Sequence, residues 1–288
     1  MKMEFDITGH TQLVGVIGLP TKYSMSPAMH SASFSKLGID AVYLAFDVKP
    51  ENLTQTVEAF RNIGVAGFNV TMPHKAAILP LMDELSPEAR LMGAVNTVKI
   101  DEGKLYGFNT DGSGFLANVA AYGFEPKDSC VTILGAGGAA SAIFTQLAIE
   151  GARRIAVFNK RDSFWDVSRA RIEKLAQNTG VSIELYDVDD RDTLRKAIQD
   201  SAMLANATRV GMGDLKNECL VDEDMFHEGL LVTDTVYEPR ETKLIKMAKT
   251  HGLTTAPGLG MLLQQAARSE KIWFDVDMPI DYIEQSFF

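Results

Sequence analysis

Cysteine is nearly missing from this chain: Cys130 and Cys219 are the only two in 288 residues, and no histidine is spaced to join them as a metal site. A disulfide-stapled secreted scaffold is thereby excluded, and the two thiols read as ordinary core or surface groups in a reducing compartment. No uninterrupted apolar stretch is long enough to span a bilayer. Runs of lysine and arginine are also missing. Arg153-Arg154 and Lys160-Arg161 are only pairs, in a chain of formal net charge -10 and pI near 5.0. That balance speaks against nucleic acid and anionic membranes as partners. The segment from Met1 to Thr11 lacks the basic start and apolar run of a signal peptide. Internal repeats and long linkers are absent too. The expectation is a cytoplasmic protein with a small-molecule partner, no nucleic acid, no membrane and no metal, with a homodimer as the self-assembly left open.

What the chain does have is a globular balance, with 46% hydrophobic and 23% charged residues, and length for two domains with separate cores. In the first third, strand and helix signals alternate. Leu13 to Gly18 is a short apolar run closed by Pro20, the pattern of a buried strand. Ser26-Pro27 reads as an N-cap followed by proline at the first helical position, opening a helix that stops at Gly38. Ala41 to Val48 is a second strand. Pro50 opens a helix carrying Leu53, Val57 and Phe60 and ending near Gly64. Gly67 to Thr71 is a third strand, terminated by Pro73. Such alternation implies parallel pairing with right-handed crossovers.

The middle of the chain repeats the alternation. Cys130 to Leu134 reads as a buried strand, Gly135 to Ser141 as a glycine-rich turn, and Ile143, Leu147 and Ile149 as a helix ending at Gly151. Ile155 to Phe158 is the next strand, Ile172, Leu175 and Ala176 mark a helix, and Val181 to Tyr186, Met203-Leu204 and Leu230 to Thr233 are further strands. This is the pattern of a doubly wound nucleotide-binding unit. The last thirty residues read as two helices, the second opened by Pro279. The expected fold is α/β with two domains. Residues 1–111 plus 258–288 form a substrate-binding domain on a parallel or mixed sheet, with the C-terminal helices packing back on it. Residues 112–257 form a Rossmann-type dinucleotide domain.

Three constellations carry chemistry. A strand, then Gly135-Ala136-Gly137-Gly138-Ala139, then a helix is the dinucleotide context, because glycine lets the backbone approach a pyrophosphate and the helix start supplies amide donors. Cofactor choice is read after the next strand, at Asn159-Lys160-Arg161-Asp162. An acid there bonds the ribose 2′-hydroxyl of NAD, and basic residues take the 2′-phosphate of NADP. Both kinds are present. Asp162 reads equally as ribose acceptor or helix cap, and Lys160 and Arg161 equally as ligands or solvated charges, so NAD is expected with NADP not excluded. The second constellation is Asn69-Val70-Thr71-Met72-Pro73-His74-Lys75 at a strand end, with Asn69 and Thr71 on one face. A lysine beside a carboxylate can act as acid or base, and the carboxylate is Asp111 in Asn109-Thr110-Asp111-Gly112, which also reads as an N-cap. Asn96 is a polar residue in an apolar run, a ligand or a satisfied buried amide. Third, Ser24 and Ser26 can bind a carboxylate or hydroxyls. Ser26 reads also as a helix cap, and Ser24 has no such second role.

Together these residues resemble the shikimate dehydrogenase family over essentially the whole chain. The matching motifs are Ser24-x-Ser26-Pro27, Asn69-Val70-Thr71-x-Pro73-x-Lys75, Gly93-Ala94-Val95-Asn96-Thr97, Asn109-Thr110-Asp111-Gly112, Gly135-Ala136-Gly137-Gly138-Ala139, Asn206-Ala207-Thr208-x-x-Gly211-Met212 and Gly258-Leu259-Gly260-Met261-Leu262. The resemblance implies reversible hydride transfer between NAD(P) and shikimate, with 3-dehydroshikimate as the ketone. It implies Lys75 and Asp111 as the catalytic pair. Ser24 and Ser26 would hold the substrate carboxylate, with Tyr237 close by. Asn69, Thr71, Asn96, Asp111 and Gln265 would hold ring hydroxyls. Thr208 would join the cofactor contacts, with Met212 and Gly260 near the nicotinamide. One departure matters: the segment Asn159 to Asp162 lacks the family's usual Asn-Arg-Thr and adds an acid. With Phe158 and Phe164 it looks more like the quinate/shikimate branch, which uses NAD as well as NADP and accepts quinate.

Overall fold

The computed structural model describes residues 7–288. The expectation about a signal peptide at Met1 to Thr11 therefore falls largely on residues outside the described ones. Two compact units divide the chain. The first takes in the described residues through Thr110 together with Gln265–Phe288, and the second is Asp111–Gln264.

The first unit begins with β1 (Gln12–Gly18), α1 (Ser26–Leu37), β2 (Ala41–Asp47), α2 (Leu53–Asn62) and β3 (Gly67–Val70). It continues with β4 (Glu84–Leu85), α3 (Pro87–Met92), β5 (Thr97–Asp101) and β6 (Lys104–Phe108). The sheet order is β2-β1-β3-β5-β6-β4. β1 lies parallel to β2 and β3, while β5 runs antiparallel to both β3 and β6. The sheet is thus mixed: parallel pairing joins β1 to β2 and β3 and, at the far edge, β4 to β6. The reversal from β5 to β6 comes from the turn between Asp101 and Lys104, where Glu102 and Gly103 both have positive φ (46° and 76°). Two left-handed residues twist the chain in the sense a tight hairpin needs. Leu53, Val57, Phe60, Phe68, Val70 and Val98 fill the core on one side of this sheet.

The second unit contains α4 (Asp111–Ala120), β7 (Cys130–Leu134), α5 (Gly138–Ile149), β8 (Arg154–Asn159), α6 (Trp165–Thr179), β9 (Ser182–Asp187) and α7 (Arg191–Gln199). β10 (Met203–Asn206), β11 (Leu231–Asp234), α8 (Lys243–Thr250), β12 (Thr255–Ala256) and α9 (Gly258–Phe274) follow, and α10 (Ile280–Phe287) closes the chain. The all-parallel sheet has the order β12-β11-β10-β7-β8-β9. Read from the other edge, that is the 3-2-1-4-5-6 order of a doubly wound nucleotide-binding sheet, whose strand order reverses between β7 and β10. Its strands are buried on both faces, which is why they read as continuous apolar runs.

The division between units falls inside α9, so Gly258–Gln264 groups with the second unit and not, as expected, with the first. Close packing explains this. A Cβ on Gly258 would lie 2.6 Å from the Val236 carbonyl oxygen, and Asn118 Nδ2 donates to the Pro257 carbonyl at 3.0 Å. The rest of α9 serves the first unit. Trp273 Nε1 donates to the Val98 carbonyl at 2.9 Å, and its indole covers Gly67. α10 packs against α1, as expected of the C-terminal helices.

Gly67 leaves no room for a side chain: an added Cβ would stand 2.6 Å from the Val98 carbonyl oxygen and press on the Trp273 ring. Gly67→Ala should lower unfolding free energy by about 1–3 kcal/mol, measured by urea denaturation; a loss within error of zero would mean that the α9 packing yields freely.

Candidate active site

In the first unit the expected substrate residues gather where β1 and β3 end. The loop after β1 is tied to the end of β2. Thr21 donates twice to Asp47 Oδ1, through N–H and hydroxyl, both at 2.7 Å. These donors hold the Asp47 carboxyl below its usual range. Helix α1 starts at Ser26, preceded by Met25, and Met25 makes no side-chain cap. Two expectations are corrected here. Ser26 sits inside the first turn instead of capping it, since the chain is already helical at Met25. Ser24 does have a second role: its Oγ accepts from the Ser26 N–H at 3.2 Å and braces the turn.

Asn69 is buried opposite Thr97 in the antiparallel pair and opposite Val16 in the parallel one. Its Oδ1 accepts from the Tyr43 hydroxyl at 2.7 Å. Its Nδ2 donates toward the Asn96 carbonyl (3.1 Å), Thr97 Oγ1 (3.0 Å) and Ser269 Oγ on α9 (3.0 Å). Through these bonds Asn69 also ties β2, β5 and α9 together around the site. Asn96 is the buried amide that one of its two readings named. Its Oδ1 accepts from the Thr110 N–H at 2.8 Å and from Thr97 Oγ1 at 2.9 Å, and its Nδ2 donates to Thr110 Oγ1 at 2.9 Å. Burial pushes the Tyr43 hydroxyl well above its ordinary range, against the lowering effect of a hydrogen bond with Ser26, so it remains a neutral donor.

Thr71 and Lys75 are half-buried in the loop after β3. Backbone bonds fix this loop: the Thr71 N–H donates to the Ile17 carbonyl at 2.9 Å, and the Lys75 carbonyl accepts from the Val95 N–H at 2.8 Å. Lys75 is thus held beside the segment that leads through Asn96 into β5. His74 is a residue the sequence reading passed over. It is 1% exposed, and its Nε2 meets the Val48 carbonyl at 2.7 Å, anchoring the loop from beneath. A second omission lies deeper. His30 Nδ1 and the Ser33 hydroxyl bond the two carboxylate oxygens of Glu270 at 2.7 and 2.6 Å, all fully buried. The His30 ring stacks on Tyr43 at 4.5 Å. Helical spacing from Met29 to Leu37 marks this face as core, and a polar pair within it leaves no local signal. Gln265 opens the first unit's share of α9, four residues before Ser269, whose hydroxyl donates to its carbonyl at 3.2 Å.

In the second unit Asp111 is the first residue of α4, half-buried, with Gly112 packed against the Ala142 carbonyl. The glycine turn sits at the carboxyl end of β7, beside the reversal of strand order. Gly135 has φ +103°, and a Cβ there would meet Thr208 Cγ2 at 2.9 Å and the Ala207 carbonyl at 3.0 Å, so only glycine fits. Ala136 is buried behind it. At Gly137 and Gly138 a Cβ would meet nothing within 4 Å. No side chain caps the start of α5, whose amides at Gly138 and Ala139 need acceptors. Open space over uncapped amides is what a dinucleotide pyrophosphate requires, so these residues fit that group.

Across the reversal, Thr208 Oγ1 donates to Asn206 Oδ1 at 2.7 Å and is committed to its own turn. Asn206 Nδ2 donates to Asp234 Oδ1 at 2.9 Å, and the Thr242 hydroxyl donates to Asp234 Oδ2 at 2.7 Å. Sequence reading missed Asp234, although a polar Thr233-Asp234-Thr235 closing an apolar run was there to be seen. Met212 and Tyr237 lie on exposed loops, and Gly260 on α9 packs against Asn118.

After β8, Asn159 Nδ2 donates to the Lys160 carbonyl at 2.9 Å and Lys160 is exposed. Asp162 does not cap α6, which starts at Trp165 after Phe164. Instead its Oδ1 accepts from the Phe164 N–H at 2.9 Å, bracing the preceding turn. Phe158 is buried against Tyr186, while Phe164 is 68% exposed and so open to a ligand. Among the described residues no group of His, Cys, Asp and Glu could hold a metal ion, and no helix is long and apolar enough to cross a membrane.

A 3-2-1-4-5-6 sheet with an open glycine turn, in one chain with a second α/β unit bearing a lysine at its strand ends, defines a two-domain dinucleotide-dependent oxidoreductase. Known proteins narrow the class. The shikimate dehydrogenase substrate binding domain matches residues 16–98, and the shikimate 5′-dehydrogenase C-terminal domain matches residues 258–286. Shikimate dehydrogenase (NADP(+)) of Listeria monocytogenes is 43% identical over 98% of this chain and 97% of its own. The quinate/shikimate dehydrogenase of an Escherichia coli strain is 38% identical, covering 97% of this chain and 98% of its own. The solved structure of shikimate 5-dehydrogenase from Listeria monocytogenes, in complex with shikimate and NAD, superposes with a TM-score of 0.97. It is 42% identical and covers 99% of both chains. The chain belongs to the shikimate dehydrogenase family.

Burial raises the Asp234 carboxyl to about 6 from an ordinary 3.8, against the lowering effect of its bonds to Thr242, Val236 and Asn206. The fold thus prefers the protonated acid. Its stabilising contribution is complete below the unfolded value and is lost as pH rises through about 6. Asp234→Asn should remove that loss. Between pH 5 and 7.5 the difference in urea-unfolding free energy between variant and wild type should shift by about 1 kcal/mol in the variant's favour. A difference constant with pH would contradict the raised value.

Proposed function

We propose that this protein catalyses reversible hydride transfer between NAD(P) and shikimate, with 3-dehydroshikimate as the ketone, and that it also accepts quinate. The observation that carries the reading is the loop after β3. It holds Lys75, tied through the Val95 N–H to the segment that enters β5, at the carboxyl ends of the parallel strands where substrates of α/β sheets bind. The relative solved with shikimate and NAD, alike over 99% of both chains, supports it.

When bound, the nicotinamide supplies the hydride acceptor on oxidation and the donor on reduction. Lys75 takes the proton of the reacting hydroxyl as the alcohol is oxidised and returns it on reduction. Asp111 orients Lys75 and that hydroxyl. Ser24 and Ser26, on the braced turn before α1, hold the substrate carboxylate, with Tyr237 beside it. Asn69, Thr71, Asn96 and Gln265 receive ring hydroxyls, and Asn69 also bonds to Tyr43, Thr97 and Ser269 of the surrounding framework. The turn from Gly135 to Ala139 would hold the pyrophosphate, Thr208 would join the cofactor contacts, and Met212 and Gly260 would lie near the nicotinamide. The first unit is the substrate-binding domain and the second the dinucleotide domain.

A specific feature favours NAD alongside NADP. Asp162, fixed by its bond from the Phe164 N–H, is the acid expected to accept from a ribose 2′-hydroxyl. Lys160 and Arg161 are the cations available to a 2′-phosphate. The quinate/shikimate relative supports the broader substrate range. A cytoplasmic location and a homodimer complete the proposal.

Initial rates with shikimate and with quinate, each against NAD and NADP, test the assignment; turnover of neither substrate with either cofactor would end it. Lys75→Ala should lower kcat by about 10²–10⁴-fold with an unchanged circular dichroism spectrum, and a near wild-type rate would remove Lys75 from the chemistry. Asp162→Ala should raise KM for NAD more than for NADP. Equal losses would reduce Asp162 to its turn-bracing bond.

A further inference from the structure

NAD and NADP differ only at the ribose 2′ position, a hydroxyl in one and a phosphate in the other, and the turn after β8 is where that difference is met. Arg161 is the arginine of this turn, and its guanidinium already has partners. Nε donates to Asp187 Oδ2 at 3.1 Å, and Cζ lies 4.8 Å from the centroid of the Trp165 ring.

Asp187 is a fixed partner. It ends β9, in register with Asn159 at the end of β8. Its second oxygen, Oδ1, accepts from the Asp189 N–H at 3.1 Å, and the next residue, Val188, donates its N–H to the Asn159 carbonyl at 3.0 Å. The Asp187 side chain is 28% exposed and that of Arg161 is 65% exposed, so the acid is anchored and the cation is drawn to it. Asp189 and Asp190 follow on the same turn.

We propose that Asp187 is a specificity-determining residue: by holding Arg161 in an internal ion pair it weakens binding of dinucleotides that carry a 2′-phosphate and leaves NAD binding alone. The inference rests on the second unit being the dinucleotide domain. A 2′-phosphate approaching Arg161 meets a cation already neutralised, next to a carboxylate of its own sign. A 2′-hydroxyl meets no such repulsion. The pair lies near the surface, so its influence is modest and sensitive to salt.

Isothermal titration of the whole protein with NAD, NADP and 2′,5′-ADP provides the test without relying on turnover. Asp187→Asn keeps a carbonyl for the Asp189 N–H and so preserves the turn. It should lower Kd for NADP and for 2′,5′-ADP by about two- to fivefold and leave Kd for NAD within error. The gain should shrink in 0.5 M salt, and Arg161→Ala added to Asp187→Asn should cancel it. An unchanged Kd for NADP, an equal shift for NAD and NADP, or a gain that survives Arg161→Ala would overturn the role of Asp187 while NAD binding kept the dehydrogenase reading. A wild-type protein binding none of the three would overturn both.

Discussion

A buried amide must fill its two donors and its acceptor, and in the first sheet that demand falls on Asn69. Tyr43 from β2, the Asn96 carbonyl, Thr97 from β5 and Ser269 from α9 answer it. Leaving one such group unmatched inside a protein costs roughly 1–3 kcal/mol, so these elements are locked in one register. Asn96 extends the chain of bonds to both the amide and the hydroxyl of Thr110. The residue before Asp111 is therefore set by the same network. The substrate side of the proposed reaction rests on polar groups that the hydrophobic pattern does not describe.

The second unit depends on a different constraint, the close approach of backbone at the strand-order reversal. Gly135 lies so near Ala207 and Thr208 that no side chain is tolerated, and the open positions Gly137 and Gly138 stand beyond it. One glycine is needed for packing and the other two leave room. Behind them Asn206, Asp234 and Thr242 form a polar cluster at the ends of β10 and β11, which holds the facing turn in place at the expense of a carboxyl with a raised pKa. The two glycine roles look alike in the chain and separate only when the neighbouring strand is present.

Charge is distributed with the same economy. The net charge of -10 is spread over the chain, yet on the turn after β8 Lys160 and Arg161 stand next to Asp162 in sequence and Arg161 pairs with Asp187. An arginine whose charge is matched in this way offers less to an incoming anion than a free one.

The sequence by itself determined the elements and their order. Apolar runs closed by glycine or proline located β1, β3 and β7, since strand burial and chain breaking are local properties. Ordered motifs located Lys75, Asp111 and the glycine turn for the same reason. Local signals failed where a partner lies far along the chain. The hairpin reversal at Glu102-Gly103, the anchoring of His74 on Val48, and the burial of Glu270 against His30 each join segments whose proximity no periodicity records. Ser24, Ser26 and Asp162 show the same limit at short range, because whether a hydroxyl or carboxylate caps a helix or braces the turn before it depends on where the backbone first becomes helical. Tertiary structure alone decided that Asn69 bonds to Tyr43 and that Arg161 is paired with Asp187, because a side chain's hydrogen bonds are settled by what the fold brings into reach of it.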